Sequence, residues 1–308
     1  MIIKIAICIF VYCQLPITNF SMNSREIIKG NKNLMHAFLL TANCQLPYLC
    51  PFIMILTDTH IHLYADDFTG DRDQLIREAM DLGVQRFFLP NIDSAFVDAM
   101  LDVEEKYPEN CFAMMGLHPC SVKEDWKKEL TMVEDRLSKR KFAGIGEIGI
   151  DLYWDKTFIK EQEEVFRRQI ELANQYLLPI IIHSRESFEE IYSILLETKK
   201  EHPSGIFHCF TGNTDQAKRA IDLGFSLGIG GVVTFKNSGL DKTIADIDMK
   251  HLVLETDAPY LAPVPFRGKR NQPAYILKVA EKIADIKNCT LKEVAHITTQ
   301  NSKLIFGR

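Results

Sequence analysis

Residues 54–308 read as a closed barrel of eight parallel strands, each followed by a helix. Three observations predict this α/β TIM-type architecture: short apolar runs alternate with amphipathic helical patterns, the runs number eight, and the prominent ionisable residues fall at their carboxyl ends. The runs are Ile53 to Asp58, Val84 to Pro90, Cys111 to Leu117, Phe142 to Ile148, Leu178 to Ser184, Gly205 to Phe210, Phe225 to Gly230 and His251 to Asp257. Between them four sets recur with the helical period: Leu75, Ala79 and Leu82; Trp126, Leu130, Val133 and Leu137; Phe166, Ile170, Ala173 and Leu177; Phe188, Ile191, Tyr192 and Leu195. A doubly wound open sheet would show the same alternation, and the polar residues separate the two. His60 and His62 end the first run, His118 the third, Glu147 and Asp151 the fourth, His183 and Arg185 the fifth, His208 the sixth and Asp257 the eighth. A barrel brings those ends to one mouth, whereas an open sheet spreads them along a line. Gathering so many ionisable groups without a compensating ion would be costly.

With 46% hydrophobic and 25% charged residues, the 308-residue chain has the composition of a soluble globular protein, which argues against disorder. Its formal net charge is −5, and residues 1–53 carry Lys4, Arg25, Lys29 and Lys32 against the single acid Glu26, so the acidic part is the remainder. An acidic body is no extended nucleic-acid footprint; a phosphate-bearing partner has to be held by a local cluster or by bound cations. The eight cysteines include no Cys-x-x-Cys pair. Cys111, Cys120, Cys209 and Cys289 read as scattered thiols of a reducing, cytoplasmic compartment, Cys209 being a small buried hydrophobe, and a structural zinc-thiolate site is not expected.

Residues 1–53 do not share this pattern. Ile5 to Val11 is apolar but too short to span a bilayer, and it makes a poor signal-peptide core with no small-x-small cleavage site after it. Residues 21–50 show neither sustained helical periodicity nor strand alternation. Met54 directly precedes the first strand, so the upstream segment is expected to be disordered or an over-called start. A secretory signal and an ordered extension are the alternatives, and no membrane partner is expected.

The stretch Thr57-Asp58-Thr59-His60-Ile61-His62-Leu63 is the one around which the chain is organised. Two imidazoles one residue apart project from the same side of an extended backbone and can reach one ion. Taken alone, His-x-His fits two surface histidines equally well. Five later segments change that balance, because unrelated roles for histidines and carboxylates at six strand ends would have to coincide.

Asp58-Thr59-His60-Ile61-His62, Gly116-Leu117-His118-Pro119, Gly146-Glu147-Ile148-Gly149-Ile150-Asp151, His183-Ser184-Arg185, His208-Cys209-Phe210-Thr211-Gly212 and Glu255-Thr256-Asp257-Ala258-Pro259-Tyr260-Leu261 together resemble the TatD family of metal-dependent deoxyribonucleases. The resemblance runs from Met54 to the C-terminus. It implies the metal-dependent hydrolase version of the barrel and a two-metal site: His60, His62 and Asp257 on the first ion, His183 and His208 on the second, Glu147 bridging. Imidazoles and carboxylates suit Zn²⁺, Mn²⁺ or Mg²⁺. Histidine favours zinc, while the family is commonly described as magnesium-dependent. The resemblance also points to Asp257 as the acceptor of the proton from the attacking water and places His118 near substrate. Asp151 is expected to orient a ligand, as is Glu255, which could instead help hold an additional ion; Asp58 is expected to position His60 or His62.

Basic residues near the mouth are the expected phosphate contacts: Arg185, Lys236 after the seventh strand, and Arg267, Lys269 and Arg270 after the eighth. A solvated loop is the plainer account of the last three. Phe266 departs from the family, in which many relatives carry histidine, although an aromatic ring could stack on a base. The expected activity is phosphodiester hydrolysis of DNA, single-stranded or at 3′ ends, in the 3′-to-5′ direction. A metal-dependent amidohydrolase acting on a small cyclic amide or ester is the alternative, disfavoured because glutamate stands at position 147 where many such enzymes use a carbamylated lysine. A non-catalytic metal-stabilised scaffold is a third reading; it predicts a missing ligand, and none is missing.

Overall fold

The computed structural model describes residues 54–198 and 204–307, so the expectations for residues 1–53 lie outside it. Eight strands follow one another: β1 (Leu56–Asp58), β2 (Val84–Pro90), β3 (Cys111–Met114), β4 (Ile145–Asp151), β5 (Ile180–Arg185), β6 (Gly205–Phe207), β7 (Phe225–Ile229) and β8 (Leu252–Leu254). Each pairs in parallel with the next within β1–β3 and within β4–β8. Two seams close the ring. Met115 bridges Ile145, with the Gly146 N–H donating to the Met115 carbonyl at 3.1 Å, and the Thr59 N–H donates to the Leu254 carbonyl at 3.0 Å. The sheet is therefore a closed (β/α)8 barrel and not an open sheet.

Nine α-helices are present among the described residues: α1 (Arg72–Asp81), α2 (Val97–Lys106), α3 (Trp126–Lys139), α4 (Ile159–Tyr176), α5 (Phe188–Glu197), α6 (Thr214–Asp222), α7 (Leu240–Asp246), α8 (Ile276–Lys287) and α9 (Leu291–Phe306). The periodic residues behave as a helical face should. Leu130, Val133 and Leu137 of α3 are buried, as are Phe166, Ile170 and Ala173 of α4. Leu82 and Leu177 depart from expectation. They sit just past α1 and α4, are 47% and 90% exposed, and Leu177 takes a left-handed φ of 54° that ends its helix. Capping boxes start α6 at Asn213 and Gln216 and α9 at Thr290 and Glu293.

Alternation along the strands divides the core in two. Phe88, Phe112, Met114, Ile181, Ile206 and Val253 form one cluster with Ala143 and Phe306, and the α9 side chain Phe306 stacks on Phe88 at 3.7 Å. Their neighbours Phe87, Leu89, Ile180, Ile182, Phe207, Leu252 and Leu254 join the larger cluster that includes the helices' buried faces. Each fully buried large side chain contributes roughly 1.5–3 kcal/mol, which makes this packed layer the stiff part of the molecule. Two residues beyond Ile181, Ile206 and Val253, on the same side of each path, come His183, His208 and Glu255.

Several strands are shorter than their apolar runs. β6 stops at Phe207 and β8 at Leu254, close before Cys209 (φ 44°) and Asp257 (φ 56°), whose left-handed backbone cannot continue an extended path. β4 is displaced toward the carboxyl side. It spans Ile145–Asp151, so Glu147 lies inside the strand and not at its end.

Candidate metal centre

The strand ends bring His60, His62, Glu147, His183, His208 and Asp257 together, with His118 beside them. Two sets of donors share Glu147. On one side His60 Nε2 lies 3.3 Å from His62 Nε2. Glu147 Oε2 is 3.1 and 3.7 Å from these two nitrogens, and Asp257 Oδ1 is 3.8 and 3.5 Å from them. On the other side Glu147 Oε1 is 2.7 Å from His183 Nδ1 and 3.4 Å from both His208 Nε2 and His118 Nε2. Ligands about 2.0–2.2 Å from a tetrahedral ion lie roughly 3.3–3.6 Å from one another, so the first set already has the spacing of a coordination shell. His60 and His208 stack face to face across the bridge, 3.4 Å between ring centroids.

Which ring nitrogen carries the proton follows from the surrounding hydrogen bonds. The Tyr64 hydroxyl donates to the Pro90 carbonyl and so must accept from His62 Nδ1, 2.7 Å away. That leaves the Nε2 lone pair of His62 turned toward Glu147 and Asp257. Asp151 Oδ2 meets His183 Nε2 at 2.9 Å, and Glu255 Oε1 lies 3.0 Å from His208 Nδ1; both carboxylates fix the far side of a ring whose near side faces Glu147. His118 is different. Its Nδ1 accepts the Cys120 N–H at 3.0 Å, so Nε2 holds the proton and presents a donor to the cluster where a lone pair would be needed to ligate.

Around these groups the backbone is held closely. Asp58 accepts from the Thr256 N–H at 3.0 Å, the Thr256 hydroxyl at 2.6 Å and the His60 N–H at 3.3 Å, which ties the end of β1 to a residue 198 positions away. The Cys209 N–H donates to Glu255 Oε1 at 2.6 Å. A Cβ at Gly149 would overlap the His183 carbonyl, and one at Gly228 would overlap Glu255 Oε2, so only glycine lets β4 approach β5 there and lets the Glu255 carboxylate enter the barrel. Tyr64 and Gly228 escaped the sequence reading. The near-continuous Leu63-Tyr64-Ala65 run gives no sign that the phenol points at a histidine.

Electrostatics shows a pocket that calls for positive charge. Burial pushes the Glu147 carboxyl up, but the positive fields of His118, His60 and His208 outweigh it and hold the group well below the usual range. Asp257 is likewise lowered, burial being outweighed by its hydrogen bond to His62 and by His208 and His60. His208 is pushed up to about 10: burial opposes protonation, and the charges of Glu255 and Glu147 overcome it. His60 goes the other way, lowered by burial and by His208. Burial pushes the Cys209 thiol well up, and the groups gathered around Glu147 offer nitrogen and oxygen donors. This buried set of imidazole nitrogens and carboxylate oxygens, gathered around Glu147 and Asp257, fits a divalent cation.

The basic residues are placed less uniformly. The Arg185 guanidinium lies 4.0 Å over the Tyr153 ring and 5.3 Å from that of Trp154. Arg267 lies 4.5 Å over Phe235, and Lys236 and Lys269 are exposed. Arg270 is paired bidentately with Asp71 and also bonds the Asp67 carbonyl; its charge is compensated within the chain, unlike that of an open phosphate contact. Phe266 stacks on Tyr275 at 3.9 Å, which covers one of the faces a base would use.

Comparison with known proteins gives a consistent result. Residues 57–307 match the family model described as TatD related DNase. The chain is 40% identical over 253 residues to the uncharacterized metal-dependent hydrolase YabD of Bacillus subtilis, covering 82% of this chain and 99% of that protein. Among solved structures, the TatD homolog YjjV of Escherichia coli superposes with a TM-score of 0.78 at 28% identity over 83% of this chain and 99% of its own. The phosphotriesterase homology protein of Escherichia coli, at 17% identity and a TM-score of 0.63 over 82% and 99% of the two chains, shares the fold. No helix among the described residues is long and apolar enough to cross a membrane. The chain belongs to the TatD family of metal-dependent hydrolases.

Proposed function

We propose that this hydrolase cleaves phosphodiester bonds of DNA, working on single strands from the 3′ end, with two divalent ions, Zn²⁺, Mn²⁺ or Mg²⁺. The observation that carries the two-ion reading is Glu147, whose carboxylate oxygens each face a separate group of imidazole nitrogens. His60, His62 and Asp257 would hold one ion and His183 and His208 the other, with Glu147 shared. Bound there, the ions supply an acidified water and charge to neutralise the phosphoryl oxygens.

The chain's own residues do the rest. Asp257 stands at the edge of the cluster, its carboxyl lowered and therefore ionised, and accepts the proton of the attacking water at a carboxylate oxygen. His118 offers its Nε2–H to a phosphoryl oxygen. Arg185, whose guanidinium forms no ion pair among the described residues, meets a second phosphate. Asp151 and Glu255 orient His183 and His208, and Tyr64 orients His62. The free thiols of Cys111, Cys120, Cys209 and Cys289 support a cytoplasmic setting.

The test is to strip the protein of metal, reconstitute it with each ion, and assay single-stranded DNA, a phosphomonoester and a cyclic amide. Metal-restored cleavage of DNA in preference to the other two is the expected result. Restored turnover of the cyclic amide alone would replace the nuclease reading with the amidohydrolase one.

A further inference from the structure

The loop following β4 leaves two large aromatic side chains open to solvent, Tyr153 at 48% and Trp154 at 67% exposure. They are not loosely placed. Their rings meet edge to face at 4.9 Å, and Asp151 Oδ1 accepts both backbone N–H groups at 2.9 Å while its other oxygen holds His183. Arg185, two residues beyond His183 on β5, lays its guanidinium across the same rings. One imidazole of the metal centre is thus linked to this aromatic pair by two short paths, one through a carboxylate and one through the strand.

Such an arrangement has a flat apolar face, a cation with unused N–H donors, and a fixed position beside the site of hydrolysis. Elsewhere the chain is acidic, −5 overall, and gives a polyanion no long-range attraction, so affinity must come from local contacts. Aromatic faces bind unpaired bases with little regard to sequence, and an arginine on the same platform adds charge for the neighbouring phosphate. Bases inside a duplex have both faces covered and cannot be bound in this way.

We propose that Tyr153 and Trp154, with Arg185 across them, form a stacking subsite for an unpaired nucleobase of single-stranded DNA next to the bond being cut. This assignment rests on the nuclease reading above. Trp154 would carry most of the stacking, Tyr153 backing the guanidinium.

The test compares the metal-loaded full chain with Trp154→Ala and Trp154→Phe on an oligothymidylate and on an abasic oligonucleotide of the same length. The parent should favour the base-bearing strand by about 5- to 100-fold in kcat/KM, chiefly through KM. Trp154→Ala should bring that ratio toward one, and Trp154→Phe should regain most of it. A parent that cuts both strands equally well overturns the platform and leaves the nuclease reading standing. So does a Trp154→Ala variant that keeps the parental ratio, or that slows both strands by the same factor. A parent that cuts neither strand overturns the nuclease reading and the platform with it.

Discussion

His60 and His62 lean on neutral surroundings, whereas His183 and His208 lean on carboxylates. The far nitrogen of His62 meets the Tyr64 phenol; that of His183 is hydrogen-bonded to Asp151 and that of His208 lies 3.0 Å from Glu255, while neither the His60 nor the His208 far nitrogen makes an aligned hydrogen bond. A carboxylate behind an imidazole makes the ring a stronger electron donor and adds a negative charge to the shell. The two sides of Glu147 are therefore unequal: one would hold a cation by donor geometry and Asp257, the other also by the charge behind its ligands. Stripping and refilling the protein should accordingly proceed in two steps, the His60 side emptying first.

The largest effect is expected from Glu147→Ala, which removes the donor common to both sides. Hydrolysis should fall by at least about 100-fold while circular dichroism stays that of a folded barrel; parental hydrolysis with two ions bound would break the shared-carboxylate account. Next come Asp151→Asn and Glu255→Gln, each expected to weaken one ion by about 10- to 100-fold in a competing-chelator titration. Loss from the His60 side in these variants would reverse the proposed inequality. Tyr64→Phe should act on that other side and by less, about tenfold or under, because a neutral partner is lost. Arg185→Ala and Lys236→Ala should leave both ions in place and raise KM for DNA, about tenfold for Arg185, with kcat kept. Unaltered kinetics across substrate concentrations would show that neither side chain touches the substrate.

What could be read in advance tracks physical range. Histidines two residues past an apolar strand position are legible because alternation is local: Ile181 predicts the side on which His183 points. Glu147 is legible as a residue but not in its place within β4, since no local pattern marks where pairing begins. Tyr64 matters through the Pro90 carbonyl, and Arg270 is paired with an aspartate 199 positions away. Neither partnership leaves a trace in its own segment. Helices α2, α6, α7, α8 and α9 escaped the periodic reading, and with α9 went Phe306, whose ring completes the cluster inside the barrel.

Gly228 on β7 and Glu255, the residue after β8, occupy what is in effect one volume. A methyl group at 228 would evict the carboxylate from behind His208, so Gly228→Ala should mimic loss of Glu255 although it alters no polar atom. The two positions are thereby coupled through shape alone. Alanine at 228 fits only beside a shorter side chain at 255, and either change withdraws the carboxylate from His208.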